Sequence, residues 1–262
     1  MTTLTNDGVI ALAGHLGIQA LPLVLSIGPQ QDSHREYERA QDLARADLLA
    51  ARVIDSHGDA DPEIAAALFT LAQPDCELAA RIFTPDTTLR VCVARRADHH
   101  AVAVRRGDAI DVQPLWSDGS GASLARPILD NLGVCSSADV VGFSAPAHEL
   151  AERFDTATSS EDYAAAVYHL GVPDTDAAAY GLALSSAHTY AEVVAYAYTD
   201  GVTDRSPGAV VVYDTDRGRI LAAPSIAPDQ QIWSTVTPGT DHRIAQAISG
   251  LIESLPGGRW LP

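Results

Sequence analysis

The sequence predicts an α+β fold in which two β-meanders, each followed by a helix, join in one antiparallel sheet covered by helices. Three features point to it. Residues 208–224 (GAVVVYDTDRGRILAAP) carry a β-branched and aromatic run, Val210 to Tyr213, then turn residues, then a second apolar run, the pattern of a hairpin whose loop contains glycine. Residues 190–199 (YAEVVAYAYT) and 231–237 (QIWSTVT) extend it to four strands, and residues 89–94, 101–105 and 109–115 form a separate three-stranded meander with turns at 96–98 and 106–108. Finally, the order helix, strand, helices, meander, helix occurs twice, so residues 1–133 and 134–262 are expected to be the halves of one duplicated domain.

Each element has a local reason. Asn6 or Asp7 is expected to cap a first helix through Val9, Ile10, Leu12, Ala13 and Leu16, which Gly17 ends. The short apolar run 21–27 (LPLVLSI) reads as a buried strand whose proline places it at an edge or at the first strand position. Residues 32–53 are helical, with Tyr37, Ala40, Leu43, Ala44, Leu48 and Leu49 as the apolar stripe. Asp61-Pro62 supplies a capping carboxylate and a proline at the first helical position for helix 62–72, which stops before Pro74. A short helix is expected over 75–81, and another over 119–131, ending near Gly133. In the second half, 139–144 reads as a strand, and 147–157, 161–170 and 173–185 as helices. The last helix, 241–255, keeps Ile244, Ala247, Ile248, Leu251, Ile252 and Leu255 at helical spacing.

Composition narrows the function. A chain of 262 residues that is 47% hydrophobic and 19% charged can bury a large core. The formal charge is −17, from 34 acidic residues against 17 basic ones, all arginine. That balance argues against binding nucleic acid through its phosphates and against anionic membrane surfaces. No apolar stretch approaches the roughly 18 residues of a membrane span, and the first residues lack a basic, then apolar leader, so a cytoplasmic location is expected. Cys76, Cys92 and Cys135 are odd in number and far apart, as reduced, packed thiols would be.

No motif points to chemistry. The nine histidines form no metal-ligand spacing, and no CxxC pair is present. Asp214 and Asp216 sit where a hairpin turn needs short acceptor side chains, so they are assigned to structure. Gly119 and Gly121 precede a helix without the third glycine or the lysine of a phosphate loop, and there is no GxSxG nucleophile elbow. Catalytic, metal and cofactor residues are therefore expected to be none. Trp116, Trp233 and Trp260 are expected to be buried.

Several segments, in order, resemble the EspG family of ESX (type VII) secretion-associated proteins. They are Leu12-Ala13-Gly14-His15-Leu16-Gly17 with Leu21-Pro22, Asp61-Pro62, and Leu71-Ala72-Gln73-Pro74. The later ones are Tyr213-Asp214-Thr215-Asp216-Arg217-Gly218-Arg219, Thr237-Pro238-Gly239-Thr240, Leu251-Ile252-Glu253-Ser254-Leu255-Pro256 and Trp260. The resemblance spans nearly the whole chain. It implies a quasi-two-fold domain with a central antiparallel β-sheet and two helical bundles. It also implies a cytosolic chaperone, not an enzyme and without cofactors, that binds a PE–PPE-type heterodimer at the helical tip of the PPE subunit. The central sheet and the C-terminal bundle would form the contact, and the complex would be directed to its ESX system. A monomer or weak homodimer is expected.

The family motifs do not carry the contact positions. Exposed-strand chemistry and the expected groove nominate Tyr190, Val194, Tyr196, Tyr198, Val210 and Val212 on strands, with Tyr168 and Leu182 on the helices 161–170 and 173–185. Two other functions compete: a self-associating scaffold or regulatory protein, and, with less support, a small-molecule enzyme built from scattered residues. The chain is short for the family, and its connection at 96–99 is compact.

Overall fold

A computed structural model describes residues 2–258 and Trp260. The chain opens with β1 (Thr2–Thr5), α1 (Asn6–His15), a single 3-10 turn (Leu23–Leu25), α2 (His34–Ala50) and α3 (Pro62–Ala72). Four strands follow, β2 (Cys76–Phe83), β3 (Thr88–Arg96), β4 (His99–Arg106) and β5 (Ala109–Pro114), and then α4 (Gly121–Leu132). The order then recurs: β6 (Phe143–Pro146), α5 (Ala147–Thr156), α6 (Ser160–His169) and α7 (Asp174–Leu184). After these come β7 (Ala187–Thr199), β8 (Val202–Arg205), β9 (Val210–Thr215), β10 (Gly218–Ile226), β11 (Ile232–Pro238) and α8 (Asp241–Glu253).

Among the described residues the strands form one sheet in the order β1-β5-β4-β3-β2-β7-β9-β10-β11-β6, with β8 added to the end of β7. Every named strand pair is antiparallel. The centre of the sheet is the β2–β7 pair, where Cys76 to Phe83 meet Ala197 to Tyr190 in unbroken register. On each side the short leading strand returns to pair with the last strand of its meander, β1 with β5 and β6 with β11.

Three clusters of buried side chains hold the layers together. On one face α4 and α8 cover the sheet, Leu124, Ile128, Ile244 and Ile248 packing on Leu78, Val91, Val193, Val212 and Leu221. On the other face α1, α2 and α3 pack over β3, β4 and β5 through Leu12, Leu48, Leu68 and Leu71 against Cys92, Ala103 and Ile110. On that same face α5, α6 and α7 pack over β10 and β11 through Leu150, Val167 and Tyr180 against Ile220, Ala222 and Val236.

Several expectations change. Residues 75–81 are not a helix but most of β2: alternate residues Leu78, Ala80 and Ile82 enter the core, and pairing on both edges overrides the helix-forming alanines and leucine. The 21–27 run is no strand. Its 3-10 turn is fixed by arginines of β3 and β4, Arg90 donating to the Val24 carbonyl at 3.3 Å and Arg105 to the Leu25 and Ser26 carbonyls. The expected strand 139–144 lies later, at 143–146. Thr5, not Asn6 or Asp7, caps α1, its Oγ1 accepting from the Gly8 N–H at 3.0 Å; Asn6 is buried and donates to the Gly28 carbonyl. Asp61 caps α3 as its sequence predicts. In the predicted stripe of α2, Ala44 and Leu48 are buried, but Leu43 and Leu49 are exposed. Trp116, in the loop past β5, is 82% exposed, against expectation, and Trp233 is half-buried; Trp260 is buried against the α4–α8 core.

The turn motif near the C-terminus does more than turn. Asp214 and Arg219 are cross-strand partners on β9 and β10, and their side chains form a two-point ion pair with N–O distances of 2.5 and 2.8 Å. The same guanidinium, 1% exposed, reaches Asp241 at the start of α8 at 3.3 Å and the Gly133 carbonyl at 3.0 Å. The backbone of Arg219 also bonds Ser136, Ala138 and Gly239. Gly218, at φ +106, and Gly239 stand so close to this site that a Cβ on either would collide with Ala138 or Arg219. One buried arginine thus ties the 133–138 connection, the hairpin and the last helix together.

A groove on the open face of the central strands

The two three-helix layers on the second face stop short of its middle. Between them β2 and β7 show their outward side chains to a groove of about 510 Å³. Its floor comprises Glu77, Ala79 and Arg81 of β2, Arg90 of β3 and Glu192, Val194, Tyr196 and Tyr198 of β7. Thr203 and Arg205 of β8 extend one side, and Leu23, Val24 and Ser26 of the arginine-held turn form the opposite wall. Leu23 is 94% exposed there.

Aromatic side chains stand at both ends of the seam, beside the groove at one end and in its floor at the other. Phe83, Tyr190 and Tyr213 face one another across β2, β7 and β9, with ring centroids 4.8 and 5.8 Å apart and nearly parallel planes. At the other end Tyr196 and Tyr198 stack at 6.4 Å. Burial raises the phenol of Tyr190 above its ordinary range, assisted by Glu192, so it stays neutral.

Charge is mixed. Arg81 pairs across the strands with Arg90 on one side and Glu192 on the other. Burial, then the neighbouring Arg81 and Arg105, lowers the Arg90 pKa. Glu77 is buried at the floor, and desolvation pushes its carboxyl up to about 7 against the opposing pull of the Tyr198 side chain. No group of three or more His, Cys, Asp or Glu side chains among the described residues is placed to hold a metal ion, and no helix there is long and apolar enough to cross a membrane. Aromatic faces, partly buried guanidinium groups and an apolar wall are the means by which surfaces bind protein.

Of the sequence-nominated residues, the structure brings Val194, Tyr196 and Tyr198 to the groove floor and Tyr190 to the same face beside it. Val210 and Val212 are a correction. Both are fully buried on the opposite face beneath α8, because register sets them level with Val193 and Ala191. Tyr168 on α6 and Leu182 on α7 are 52% and 46% exposed but do not line the groove. Sequence inspection missed Glu77, Arg81, Arg90, Arg205 and Leu23. The alternation in CELAARIF was the available signal for the first two.

The model of the EspG family matches residues 5–250. The chain is 30% identical over 260 residues to the ESX-3 secretion-associated protein EspG3 of Mycolicibacterium smegmatis, covering 99% of this chain and 88% of that one. It is 29% identical over 261 residues to the ESX-1 secretion-associated protein EspG1 of Mycobacterium tuberculosis, with coverage of 98% and 88%. In fold it superposes with a TM-score of 0.82 on the Mycobacterium tuberculosis type VII secretion system chaperone EspG5, solved in complex with a PE25–PPE41 dimer. The identity there is 22%, over 99% of this chain and 98% of that one.

Proposed function

The chain belongs to the EspG family, and on that premise we propose that it is a cytoplasmic chaperone for a PE–PPE-type heterodimer, binding the helical tip of the PPE subunit and delivering the pair to a type VII secretion system. The observation that carries this is the uncovered centre of the sheet. Helices cover that face over β3 to β5 and over β10 and β11, whereas the β2–β7 seam keeps Val194, Tyr196 and Tyr198 accessible between the Leu23–Ser26 turn and β8. A helical tip laid there would bury the two tyrosine rings and Leu23, with Tyr190 near one end and Tyr168 and Leu182 available on the C-terminal helical layer. The residues 1–133 and 134–262 act as the halves of one domain, and the working form is a monomer or weak homodimer that engages a heterodimer.

Co-purification tests this. Val194→Asp, and separately Tyr196→Ala with Tyr198→Ala, should abolish retention of a co-expressed PE–PPE pair while the thermal unfolding of the chaperone stays cooperative. Full retention by both folded variants would remove the groove from the binding site.

A further inference from the structure

Glu77 is the one carboxylate in the groove that is almost wholly withdrawn from water, at 4% exposure. Among the described residues no arginine or histidine nitrogen lies within ion-pair distance of it. The arginines nearby are committed or displaced. Arg90 donates to the Val24 carbonyl, Arg81 stands level with Glu192, and Arg205 lies one strand further away, across β7 and opposite Tyr196. What faces Glu77 instead is Tyr196, its direct cross-strand neighbour, and Tyr198, with the buried Cys92 thiol on the β3 side. The two rings lie 6.4 Å apart with 24° between their planes.

We propose that Glu77, Tyr196 and Tyr198 form a receptor for one cationic side chain, an arginine or lysine, of the protein partner, and that this contact selects among partners. A carboxylate without a counter-ion accepts a charge-assisted hydrogen bond, and the ring faces attract the same cation through their quadrupoles. The chain's charge of −17 favours the approach of such a group. The receptor rests on the groove being the docking surface, and it adds which chemistry the partner must bring. Docking of a cation requires the ionised form of Glu77, whose carboxyl is pushed up to about 7 by burial, so affinity must rise with pH through neutrality.

Calorimetric titration of a PE–PPE-type pair into the intact chaperone at pH 6 and pH 8 tests this, using the wild type, Glu77→Gln and, as a control for the groove itself, Val194→Asp. Wild-type affinity should rise roughly tenfold from pH 6 to pH 8 relative to Glu77→Gln, because the ionised fraction goes from about a tenth to about nine-tenths across a pKa near 7. Replacing the cationic residues of the partner's tip one by one should find one whose loss adds nothing further to Glu77→Gln. If Glu77→Gln binds like the wild type at both pH values while Val194→Asp does not bind, the receptor is wrong and the groove stands. Tighter wild-type binding at pH 6 would mean that an apolar surface covers a protonated Glu77, which also overturns the receptor. If Val194→Asp binds normally, the groove and its receptor fall together.

Discussion

The two faces of the β2–β7 pair are made by neighbouring residues of the same strands and have opposite characters. Toward α4 and α8 stand Leu78, Ala80, Ile82, Ala191, Val193, Ala195 and Ala197, all buried. Toward the groove stand Glu77, Arg81, Glu192, Tyr196 and Tyr198. Small apolar residues let two helices lie close against the sheet and close its core. Long aromatic and charged residues could not be packed there without unpaired charges, and no helix covers them. The covered side keeps the strands in place, and the uncovered side, not being packed against a helix, can carry other residues without disturbing the core.

The same substitution placed on either side gives the sharpest test of that contrast. Val193→Asp puts an unpaired charge into the sealed core and should cost more than about 4 kcal/mol, enough to yield little folded protein. Val194→Asp, one residue on, should cost no more than about 1 kcal/mol in urea unfolding. Equal losses would mean that the faces are not distinct. A smaller effect comes from Glu77, whose carboxyl is held at about 7 when folded against an ordinary value of 4.5. The folded state then binds the proton more tightly than the unfolded one. The stability this confers is fully present below pH 4.5 and is lost as pH rises through 7, a total of about 3 kcal/mol. Glu77→Gln should lack this slope, so its stability relative to the wild type should be greater at pH 8 than at pH 5. A constant difference would place Glu77 in contact with water. Smallest of all, Leu23→Ser should change stability by less than about 0.5 kcal/mol, since the side chain is 94% exposed, yet weaken partner retention.

Much of this was legible in the sequence because periodicity reports the covered side. The hairpin at 208–224, the three strands from 89 to 115 and the last helix all follow their apolar spacing. What escaped has physical reasons. In β2, good helix formers occupy a strand, since pairing with β3 and β7 supplies more than local preference. β1 is only four residues long and is fixed by pairing with β5, distant in sequence. Val210 and Val212 escape sequence reading because alternation alone does not say which side is covered; the ladder to β7 does. Asp214 reads as a turn residue from its composition alone, although its position opposite Arg219 in the hairpin points to an ion pair. Tyr196 and Tyr198 were found from residue type, whereas Glu77 could be placed only once β2 was recognised.

Glu77, Arg81, Arg90 and Leu23 precede the 133–138 connection, and Val194, Tyr196, Tyr198 and Arg205 follow it, so the groove exists only where early and late parts of the chain have met. A nascent polypeptide released from the ribosome as far as α4 would own half a cradle. The groove is complete only once the chain has been made past Ala209, the last residue in its lining, and a product truncated before β7 would lack the whole β7–β8 side.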